Sequence, residues 1–458
     1  MELIILSLLI SLFSSYLIFP LNIEHKAIVK EDNHTETIKK LQYSKLFITI
    51  SIGSENINIK ASITQVNTEF YIGGKNILNS KYNELNSKSY NCTNINKINI
   101  SFGKYIKGIL SSDNLNIKND KNEIMKIKTD FILGLESRYN NDNIEGEVGL
   151  HLPYFESLGE YNFIHSLKRN NGINSYYWFF DLENSNMIVD AFPHDIYNGI
   201  YNKDNISTIN ALNNKYYYIW GIIFSNIYYD EPFMSLANNN LLETRFNFEL
   251  RTISAPMEVI NILEQNYFSK YINDKICFKE TFGIHKEIFF YCKKNDKNFN
   301  IKDFRSIYFK SNNLEIAFEL DYNDLFFEKD NYIYFLITFK MDKIWNLGEI
   351  FLKKYFIVFN QDLKTMSYYQ GMEKEKIKKE GIKYKINFIH ILLVMILFAI
   401  IFFGTIIYFK KGKYRKNRAN ELLDDNYEYE HDNSNNKIKE YSKDEKFIEL
   451  VNKKNNLI

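Results

Sequence analysis

The sequence predicts an all-β protein, rich in strands with few helices, across residues 43–370 of its 458. Short segments alternate apolar and polar residues with a period near two, as half-buried strands do. Such segments include LFITISIG, INIKASI, INKINISFG, KGILSSDNLNI and MKIKTDFIL. Helical periodicity is sparse by comparison. Its best example is APMEVINILEQNYFSKYI, residues 255–272, in which Pro256 suits a first helical turn.

The composition argues against several classes of function. The formal net charge is +1 and no segment forms a basic domain, so nucleic acid is not an expected partner. The sequence has no zinc-ligand spacing, no phosphate-binding glycine-rich loop and no G-x-S-x-G segment. We therefore expect neither a metal nor a cofactor.

An apolar run near the N-terminus, LIILSLLISLFSSYLIF, covers residues 3–19. Its length and position predict a signal peptide at residues 1–20. Glu2 stands where a signal peptide usually carries a basic residue, so an uncleaved signal anchor stays open as an alternative.

A second apolar run, FIHILLVMILFAIIFFGTIIYF, covers residues 388–409. At 1.5 Å per residue, a helix of this length measures about 33 Å, which is enough to cross the hydrocarbon core of a bilayer. We therefore predict one transmembrane helix there, after a basic juxtamembrane linker at 371–387. The tail, residues 410–458, has almost no apolar periodicity and is expected to be a disordered cytosolic segment.

Together these segments predict a single-pass type I membrane protein of the secretory pathway or cell surface, with a lumenal or extracellular ectodomain. Lysines flank the span on both sides, so the orientation rests on the N-terminal signal. An oxidising compartment suits a disulfide between Cys277 and Cys292, worth about 3 kcal/mol, which would leave Cys92 either free or paired with a cysteine of another chain. Four N-glycosylation sequons fit the same compartment: Asn33, Asn91, Asn99 and Asn205.

Six segments follow one another in the order of landmarks found in a known enzyme family. They are ITISIGS (48–54), EGEVGL (145–150), WFFDLENSNMIVDAFPHDIY (178–197), YIWGIIFSNIYYD (218–230), LDYNDLFF (320–327) and WNLGEIFLKKYFIVFNQDLKTMSYY (345–369). In this order and spacing they resemble the pepsin-like aspartic proteases. The resemblance implies a bilobal all-β fold, with an N-terminal lobe at 40–210 and a C-terminal lobe at 211–370.

The activity of that family depends on two D-T-G loops, one from each lobe. Their aspartates share a proton because two close like charges do not both ionise, and together they activate a water against a peptide bond. In the first loop, the alignment on Gly53 places Thr64 at the aspartate, eleven residues further on. Gln65 and Val66 then stand in place of the threonine and the glycine.

The second loop departs from the family pattern as well. The alignment on Pro256 places Asn247 at the aspartate, Phe248 at the threonine or serine, and Glu249 at the glycine. The resemblance therefore implies a protease frame in which both catalytic aspartates are missing.

A shift of the alignment does not restore the pair of aspartates. No aspartate occurs in residues 33–112 or in residues 231–273. Glu69 and Glu249 are the carboxylates near the two loops in sequence, and they are the candidates for a displaced acid pair.

A hairpin that covers the cleft in the family resembles ISFGKYIKGIL, residues 100–110. Phe102 stands at the position of the family's hairpin tyrosine, and Tyr105 follows it. Both are candidate cleft residues. Phe102 is equally well explained as an ordinary aromatic residue of a strand.

The sequence thus leads to one function and two alternatives. The leading prediction is a membrane-anchored pseudoprotease whose ectodomain binds a protein or peptide partner. The first alternative is a divergent, active aspartic endopeptidase that uses Glu69 or Glu249. The second is a structural or adhesive surface protein, which would be favoured if Phe102 and Phe248 filled the cleft.

Overall fold

Strands dominate the structure, which confirms the prediction of a β-rich protein. The computed structural model describes residues 15–65, 67–77, 79–99, 105–137, 145–152, 161–197, 199–214, 217–229, 234–236, 243–312 and 317–369. Within these residues the strands, numbered in chain order, are β1 (Leu17–Glu24), β2 (Lys45–Ile52), β3 (Ile57–Thr64), β4 (Phe70–Gly73), β5 (Asn91–Asn99), β6 (Tyr105–Asn119), β7 (Ile124–Ser137), β8 (Gly146–Gly149), β9 (Tyr177–Asp181), β10 (Asn186–Val189), β11 (Ile206–Asn210), β12 (Leu212–Asn214), β13 (Tyr217–Ile219), β14 (Gly221–Ile223), β15 (Asn226–Tyr229), β16 (Met234–Ser235), β17 (Glu243–Phe246), β18 (Ile253–Pro256), β19 (Cys277–Phe282), β20 (Glu287–Lys293), β21 (Ile307–Lys310), β22 (Ala317–Leu320), β23 (Phe326–Lys329), β24 (Tyr332–Phe335), β25 (Ile337–Lys340), β26 (Trp345–Leu347), β27 (Ile357–Asn360) and β28 (Thr365–Tyr369).

The helices in the described part of the chain are short. They are α1 (His34–Gln42), α2 (Phe163–Arg169), α3 (Pro193–Ile196), α4 (Ile260–Asn266), α5 (Ser269–Asn273), α6 (Tyr322–Leu325) and α7 (Glu349–Lys354). Three single 3₁₀ turns accompany them, at Lys203–Asn205, Met257–Val259 and Ile301–Asp303.

The helix predicted at 255–272 begins later than expected and is interrupted. Ala255 and Pro256 end strand β18, where they pair in parallel with Phe339 and Lys340 of β25. Helical structure starts only at Met257, because Pro256 is extended and precedes the first turn. Pro256 therefore lies just before the helix and not inside its first turn.

The larger of two main sheets has thirteen strands, in the order β11-β28-β27-β9-β10-β1-β2-β3-β8-β4-β7-β6-β5. Most of its strands come from residues 17–210. Strands β27 and β28, residues 357–369, return to it after the chain has built the second sheet.

The second main sheet is formed by strands between residues 221 and 347. Its order is β14-β17-β26-β18-β25-β20-β24-β23, with β19 paired to β20. A four-stranded sheet (β16-β15-β21-β22) and the hairpin β12-β13 complete the described strands. Buried residues of both main sheets form one continuous apolar core. The division into lobes at 40–210 and 211–370 stays a prediction.

Each main sheet contains the same arrangement of three strands around a loop. In the larger sheet β8 lies between β3 and β4, parallel to β3 and antiparallel to β4. In the second sheet β26 lies between β17 and β18, parallel to β17 and antiparallel to β18. We call residues 64–69, between β3 and β4, the first loop, and residues 247–252, between β17 and β18, the second loop.

Strand β1 overlaps the end of the predicted signal peptide. Leu17 and Phe19 are fully buried, and β1 pairs with β10 on one side and β2 on the other. A central position of this kind is stabilised by hydrogen bonds on both edges and by apolar burial. If a signal peptide is removed, the cut must fall before Leu17 for the larger sheet to keep this strand.

Between β1 and β2 the chain crosses to the second sheet and returns. We call residues 25–44 the crossover segment. Helix α1 begins within it at the N-cap residue Asn33, whose side chain accepts a hydrogen bond from the backbone of Glu36. Its buried residues Ile38 and Leu41 belong to a cluster with Phe289 and other aromatic residues of the second sheet.

Several predicted segments lie outside the described residues. They are residues 1–14 of the signal peptide, the juxtamembrane linker at 371–387, the span at 388–409 and the tail at 410–458. Within the part of the chain that the structure describes, no helix has both the length and the apolar character needed to cross a bilayer.

Candidate functional site

The first loop is held by the strand inserted beneath it. The backbone N–H of Leu150 donates to the carbonyl oxygen of Thr64 (2.9 Å), and that of Gly149 donates to Glu69 (3.0 Å). Gly149 lies so close to the loop that a Cβ atom would be 2.5 Å from the carbonyl oxygen of Glu69 and 2.6 Å from that of Asn67. Only glycine fits here without movement of the loop.

The second loop repeats this construction. The N–H of Asn247 donates to the carbonyl oxygen of Leu347 (2.9 Å), and that of Glu349 donates to Leu250 (2.8 Å). A Cβ atom on Gly348 would be 2.2 Å from the carbonyl oxygen of Thr252 and 2.5 Å from that of Leu250. Both loops therefore owe their shape to a glycine at or just past the end of the inserted strand.

The two loops meet through side chains. Thr64, which is 7% exposed, donates from Oγ1 to Oε1 of Glu249 over 3.4 Å. These residues are 185 positions apart in sequence. Asn247 supports the second loop from within, because its Oδ1 accepts a hydrogen bond from the N–H of Glu249 (2.9 Å). The structure thus brings Thr64, Asn247 and Glu249 into one site.

Glu69 has a different set of neighbours. Its carboxylate accepts a hydrogen bond from Tyr71 Oη (3.2 Å). Burial and the charge of Glu69 together raise the pKa of Tyr71. Burial also lowers the pKa of His151, and the charge of Glu69 partly offsets that effect. Among the described residues no hydrogen bond joins Glu69 to Glu249, so these two candidates do not form a proton-sharing pair.

Phe248 anchors the second loop from inside the protein. It is 1% exposed, and its ring lies 5.2 Å from that of Phe180, 5.8 Å from Phe359 and 6.0 Å from Trp178. The side chain of Phe248 is therefore part of the aromatic core beneath the second loop and is not exposed at the site.

A tryptophan links the two halves of the site. Trp220 precedes β14 of the second sheet, and its Nε1 donates to the carbonyl oxygen of Leu150 in the larger sheet (2.6 Å). Its ring also contacts Phe359 at 5.0 Å and Trp178 at 5.9 Å. The sequence analysis did not identify these aromatic contacts. The rarity of tryptophan could have pointed to these contacts, since Trp178 and Trp220 are two of only three tryptophans in the sequence.

The crossover segment contacts the second loop on its outer side. The N–H of Ser44 donates to the carbonyl oxygen of Glu249 (3.2 Å), and that of Arg251 donates to Gln42 (3.0 Å). These bonds continue the bridge between Tyr43 and Leu250. Backbone groups of the second loop are therefore already paired with this chain's own N-terminal region.

Glu349 ties the same segment to the end of the inserted strand. Its Oε2 accepts hydrogen bonds from Ser44 Oγ (2.7 Å) and is 2.6 Å from Nε2 of His25. Burial alone would raise the pKa of Glu349, but the hydrogen bonds from His25 and Ser44 outweigh it and hold the pKa below its usual range. Ser44 and His25 both approach the same carboxylate oxygen, so Glu349 joins the two ends of the crossover segment.

The hairpin candidates are described only in part. Phe102 lies outside the described residues. Tyr105 is the first residue of β6, and its side chain is not described. A cavity of about 640 Å³ lies elsewhere, on β1, β2 and β3, and Thr64 and Glu249 are not among its lining residues.

The predicted disulfide is present in the structure. Cys277 and Cys292 face each other at the start of the β19–β20 pair and are joined through their sulfur atoms. Cys92 is a free thiol on β5. Of the four sequon asparagines, Asn33, Asn91 and Asn205 are exposed. The side chain of Asn99, the last residue of β5, is not described.

Comparison with known proteins adds no assignment to this geometry. No model of a protein family matches the chain, and no curated protein matches it either. Within the residues that the structure describes, no group of three or more His, Cys, Asp or Glu side chains is arranged to hold a metal ion.

Proposed function

We propose that the chain is a membrane-anchored, catalytically inactive relative of the pepsin-like aspartic proteases, and that its ectodomain binds a protein or peptide partner. The observation that carries the proposal is the meeting of the two loops through Thr64 and Glu249. These are the loops that the resemblance equates with the D-T-G loops of the family. They converge here without a pair of carboxylates.

The chemistry of the site follows from the groups present. An aspartic protease needs two carboxylates that share a proton, one acting as base and one as acid. This site offers a threonine hydroxyl, an asparagine amide and one exposed carboxylate, from Thr64, Asn247 and Glu249. A hydroxyl is too weakly acidic to serve as the base, and an amide does not exchange protons usefully at physiological pH.

The frame around the site supports a relationship with a bilobal protease. The same three-strand arrangement occurs once in each main sheet, and a tight glycine, Gly149 or Gly348, closes each copy. Two β-rich halves that meet at such loops are suited to hold an extended peptide through backbone hydrogen bonds. Binding a peptide without cleaving it needs these two strand arrangements and their loops, but no pair of carboxylates.

The contacts of the candidate residues support neither the active endopeptidase nor the structural protein with a filled cleft. An active enzyme with a displaced acid pair is less well supported, because Glu69 is paired with Tyr71 and Glu249 with Thr64. A filled cleft finds no support from Phe248, which is buried in the core beneath the second loop. Phe102 lies outside the described residues and supports neither alternative.

The proposal can be tested with the full-length chain purified in detergent. We expect no reproducible cleavage of a diverse peptide mixture between pH 3.5 and pH 7.5, read by mass spectrometry with and without pepstatin. The same peptides, carrying a photo-crosslinker, should label the folded protein. Cleavage at defined sites that disappears in Glu249→Gln would overturn the proposal and favour the endopeptidase.

Two controls make a negative result informative. A pepsin-like protease assayed in the same detergent must cleave the mixture. The protein must also be folded, which a cooperative urea-unfolding transition followed by tryptophan fluorescence would establish. A folded protein that neither cleaves nor labels would contradict the binding part of the proposal.

A further inference from the structure

Two apolar side chains of the second sheet protrude into solvent. Ile284 is 96% exposed and Met341 is 84% exposed, whereas the other exposed large apolar side chains of the described residues range from 45% to 69%. Single exposed apolar residues are ordinary on a protein surface. Ile284 and Met341 differ from the others because strand pairing places both at the same end of one sheet.

The pairing of β20 with β25 fixes that placement. Ile284 lies in the turn that joins β19 to β20, and Met341 directly follows the last residue of β25. Ile288 of β20 pairs antiparallel with Phe339 of β25. In an antiparallel pair the end of one strand lies beside the beginning of the other. We call Ile284 and Met341, which leave the sheet at this end, the apolar tips.

The hairpin that carries Ile284 is firmly held. Strands β19 and β20 pair over six residues each, and the Cys277–Cys292 disulfide joins them at the end away from the turn. Phe282, which precedes the turn, is buried, and its ring lies 5.5 Å from that of Phe289. Ile284 is therefore held out from the sheet by a rigid support.

Positive charge surrounds the apolar tips. The segments 283–287 and 340–343 contain three lysines, Lys286, Lys340 and Lys343, of which the first and last are exposed. The same segments contain two acids, Asp342 and Glu287, and Glu287 accepts a hydrogen bond from Gln42 (2.9 Å). A lysine can lay its apolar stem along an apolar surface while its ammonium group reaches a phosphate.

We propose that Ile284 and Met341 insert into the interfacial region of the bilayer that anchors the chain, with the neighbouring lysines at the level of the lipid phosphates. The inference rests on the membrane anchor of the proposed function. A standard protein interface buries about 800 Å² on each partner. Two protruding side chains provide far less contact area than that, but they suit a fluid bilayer, which closes around them.

The tether makes such a small contact sufficient. The predicted linker at 371–387 has seventeen residues and spans at most about 60 Å when extended. A domain of the size of the ectodomain has a radius of gyration of about 20 Å, so the linker is long enough to let the tips reach the bilayer. Insertion from a tethered domain is intramolecular, which compensates for the weak affinity of two side chains.

The experiment uses the full-length chain in phosphatidylcholine nanodiscs, with Ile284→Trp as the reporter. Lipids that carry bromine on their acyl chains near the interface quench a tryptophan that contacts them. The native tryptophans, Trp178, Trp220 and Trp345, are at most 2% exposed and give a background that the lipid does not reach. Fluorescence in brominated discs is compared with fluorescence in unbrominated discs.

Two exposed apolar residues away from the tips provide matched controls. Ile124→Trp places the reporter at the start of β7, and Leu363→Trp places it in the turn between β27 and β28. Ile124 is 66% exposed and Leu363 is 64% exposed. These variants test whether quenching is specific to the end of the second sheet.

We expect brominated lipid to quench the added tryptophan of Ile284→Trp by about half or more, since interfacial side chains lie roughly 5–10 Å into the boundary of headgroups and acyl chains. The control variants should show no added quenching. Met341→Asp, combined with Ile284→Trp, should lose most of the quenching because a carboxylate is costly to bury in a bilayer. Met341→Leu should retain it. If Ile284→Trp does not unfold cooperatively in urea, Met341→Trp replaces it.

The possible failures are distinguishable. If alkaline carbonate separates the chain from lipid vesicles, the membrane anchor of the proposed function is wrong, and this inference falls with it. If the chain stays with the vesicles but the tryptophan of Ile284→Trp is not quenched, the anchor stands and the inference is overturned. Equal quenching in Ile124→Trp would also overturn it. A blue-shifted emission in detergent that disappears on dilution would assign the tips to contact with a second copy of the chain instead.

Discussion

The first and second loops are held by the same arrangement of strands but differ in their side chains. Each is closed by an inserted strand with a glycine packed against the loop, at Gly149 and at Gly348. The first loop presents Thr64 at the site, whereas the second buries Phe248 in the aromatic core. The comparison shows that an inserted strand and a tightly packed glycine accompany both loops although the side chains of the loops differ.

The largest expected effect comes from the feature that the loops share. Gly348→Ala places a Cβ 2.2 Å from the carbonyl oxygen of Thr252, so we expect a loss of at least about 4 kcal/mol in the free energy of unfolding, or no folded protein. Gly149→Ala should be nearly as severe. Urea denaturation followed by tryptophan fluorescence measures both.

Gly283→Ala is the matched control for these variants. Gly283 has a positive φ of 69° but open space around it, so the cost should be about 1–2 kcal/mol. Equal costs for Gly283→Ala and Gly348→Ala would mean that the close approach of backbone atoms does not define the loop.

The next effect comes from the feature in which the loops differ. Phe248→Ala removes a fully buried ring from contacts with Trp178 and Phe359, and we expect a loss of about 3–4 kcal/mol. Phe248→Leu should recover more than half of it. A cost below about 1 kcal/mol for Phe248→Ala would place the ring outside the core.

A smaller effect is expected just beyond the two glycines. Leu150 follows Gly149, whereas Glu349 follows Gly348. A charged residue therefore comes directly after the glycine only beside the second loop. Because the pKa of Glu349 is lower in the folded protein than in the unfolded one, the folded state binds fewer protons. The ionised Glu349 therefore stabilises the fold above about pH 4.5, and this contribution is lost as the pH falls further. Glu349→Gln should lower stability at pH 7 by about 1–3 kcal/mol.

The pH dependence provides the check on that variant. Denaturation at pH 7 and at pH 3.5 should show that the difference between Glu349→Gln and the wild-type protein shrinks at the lower pH. A difference that does not change with pH would assign the role of Glu349 to packing and not to its charge. Leu150→Met is a control without a charge.

The smallest effect tests the contact between the loops. Thr64→Asp would place a carboxylate beside Glu249, and repulsion should raise the pKa of the pair above the unfolded values. The folded state would then bind more protons, so the loss of stability should be about 1–2 kcal/mol at pH 7 and should vanish below about pH 4. The uncharged Thr64→Asn should show no such dependence. Identical pH profiles for the two variants would contradict the contact.

Local sequence pattern predicted much of the fold but missed one central strand. Period-two alternation located β2, β3, β6 and β7, because half-buried strands leave that signal. It missed β1, since Leu17 to Pro20 continue an apolar run that indicates a signal peptide. Alternation does not distinguish a fully buried strand from a cleaved leader.

The sequence predicted the residues of the candidate site but not their long-range contacts. Alignment on two anchors identified Thr64, Asn247 and Glu249, which the structure brings together. It did not reveal that Phe248 faces the core or that Ser44 pairs with the second loop. Those contacts depend on residues far away in sequence, and no local pattern contains them.

The return of β27 and β28 to the larger sheet has a consequence for how the protein is made. Strand β28 pairs with β11, about 160 residues earlier, and β27 pairs with β9. During synthesis β9 therefore lacks its neighbour β27, and β11 lacks its neighbour β28, until residues 357–369 have left the ribosome. Such long-range closure is slow, and the unfinished sheet is exposed to misassembly in the meantime.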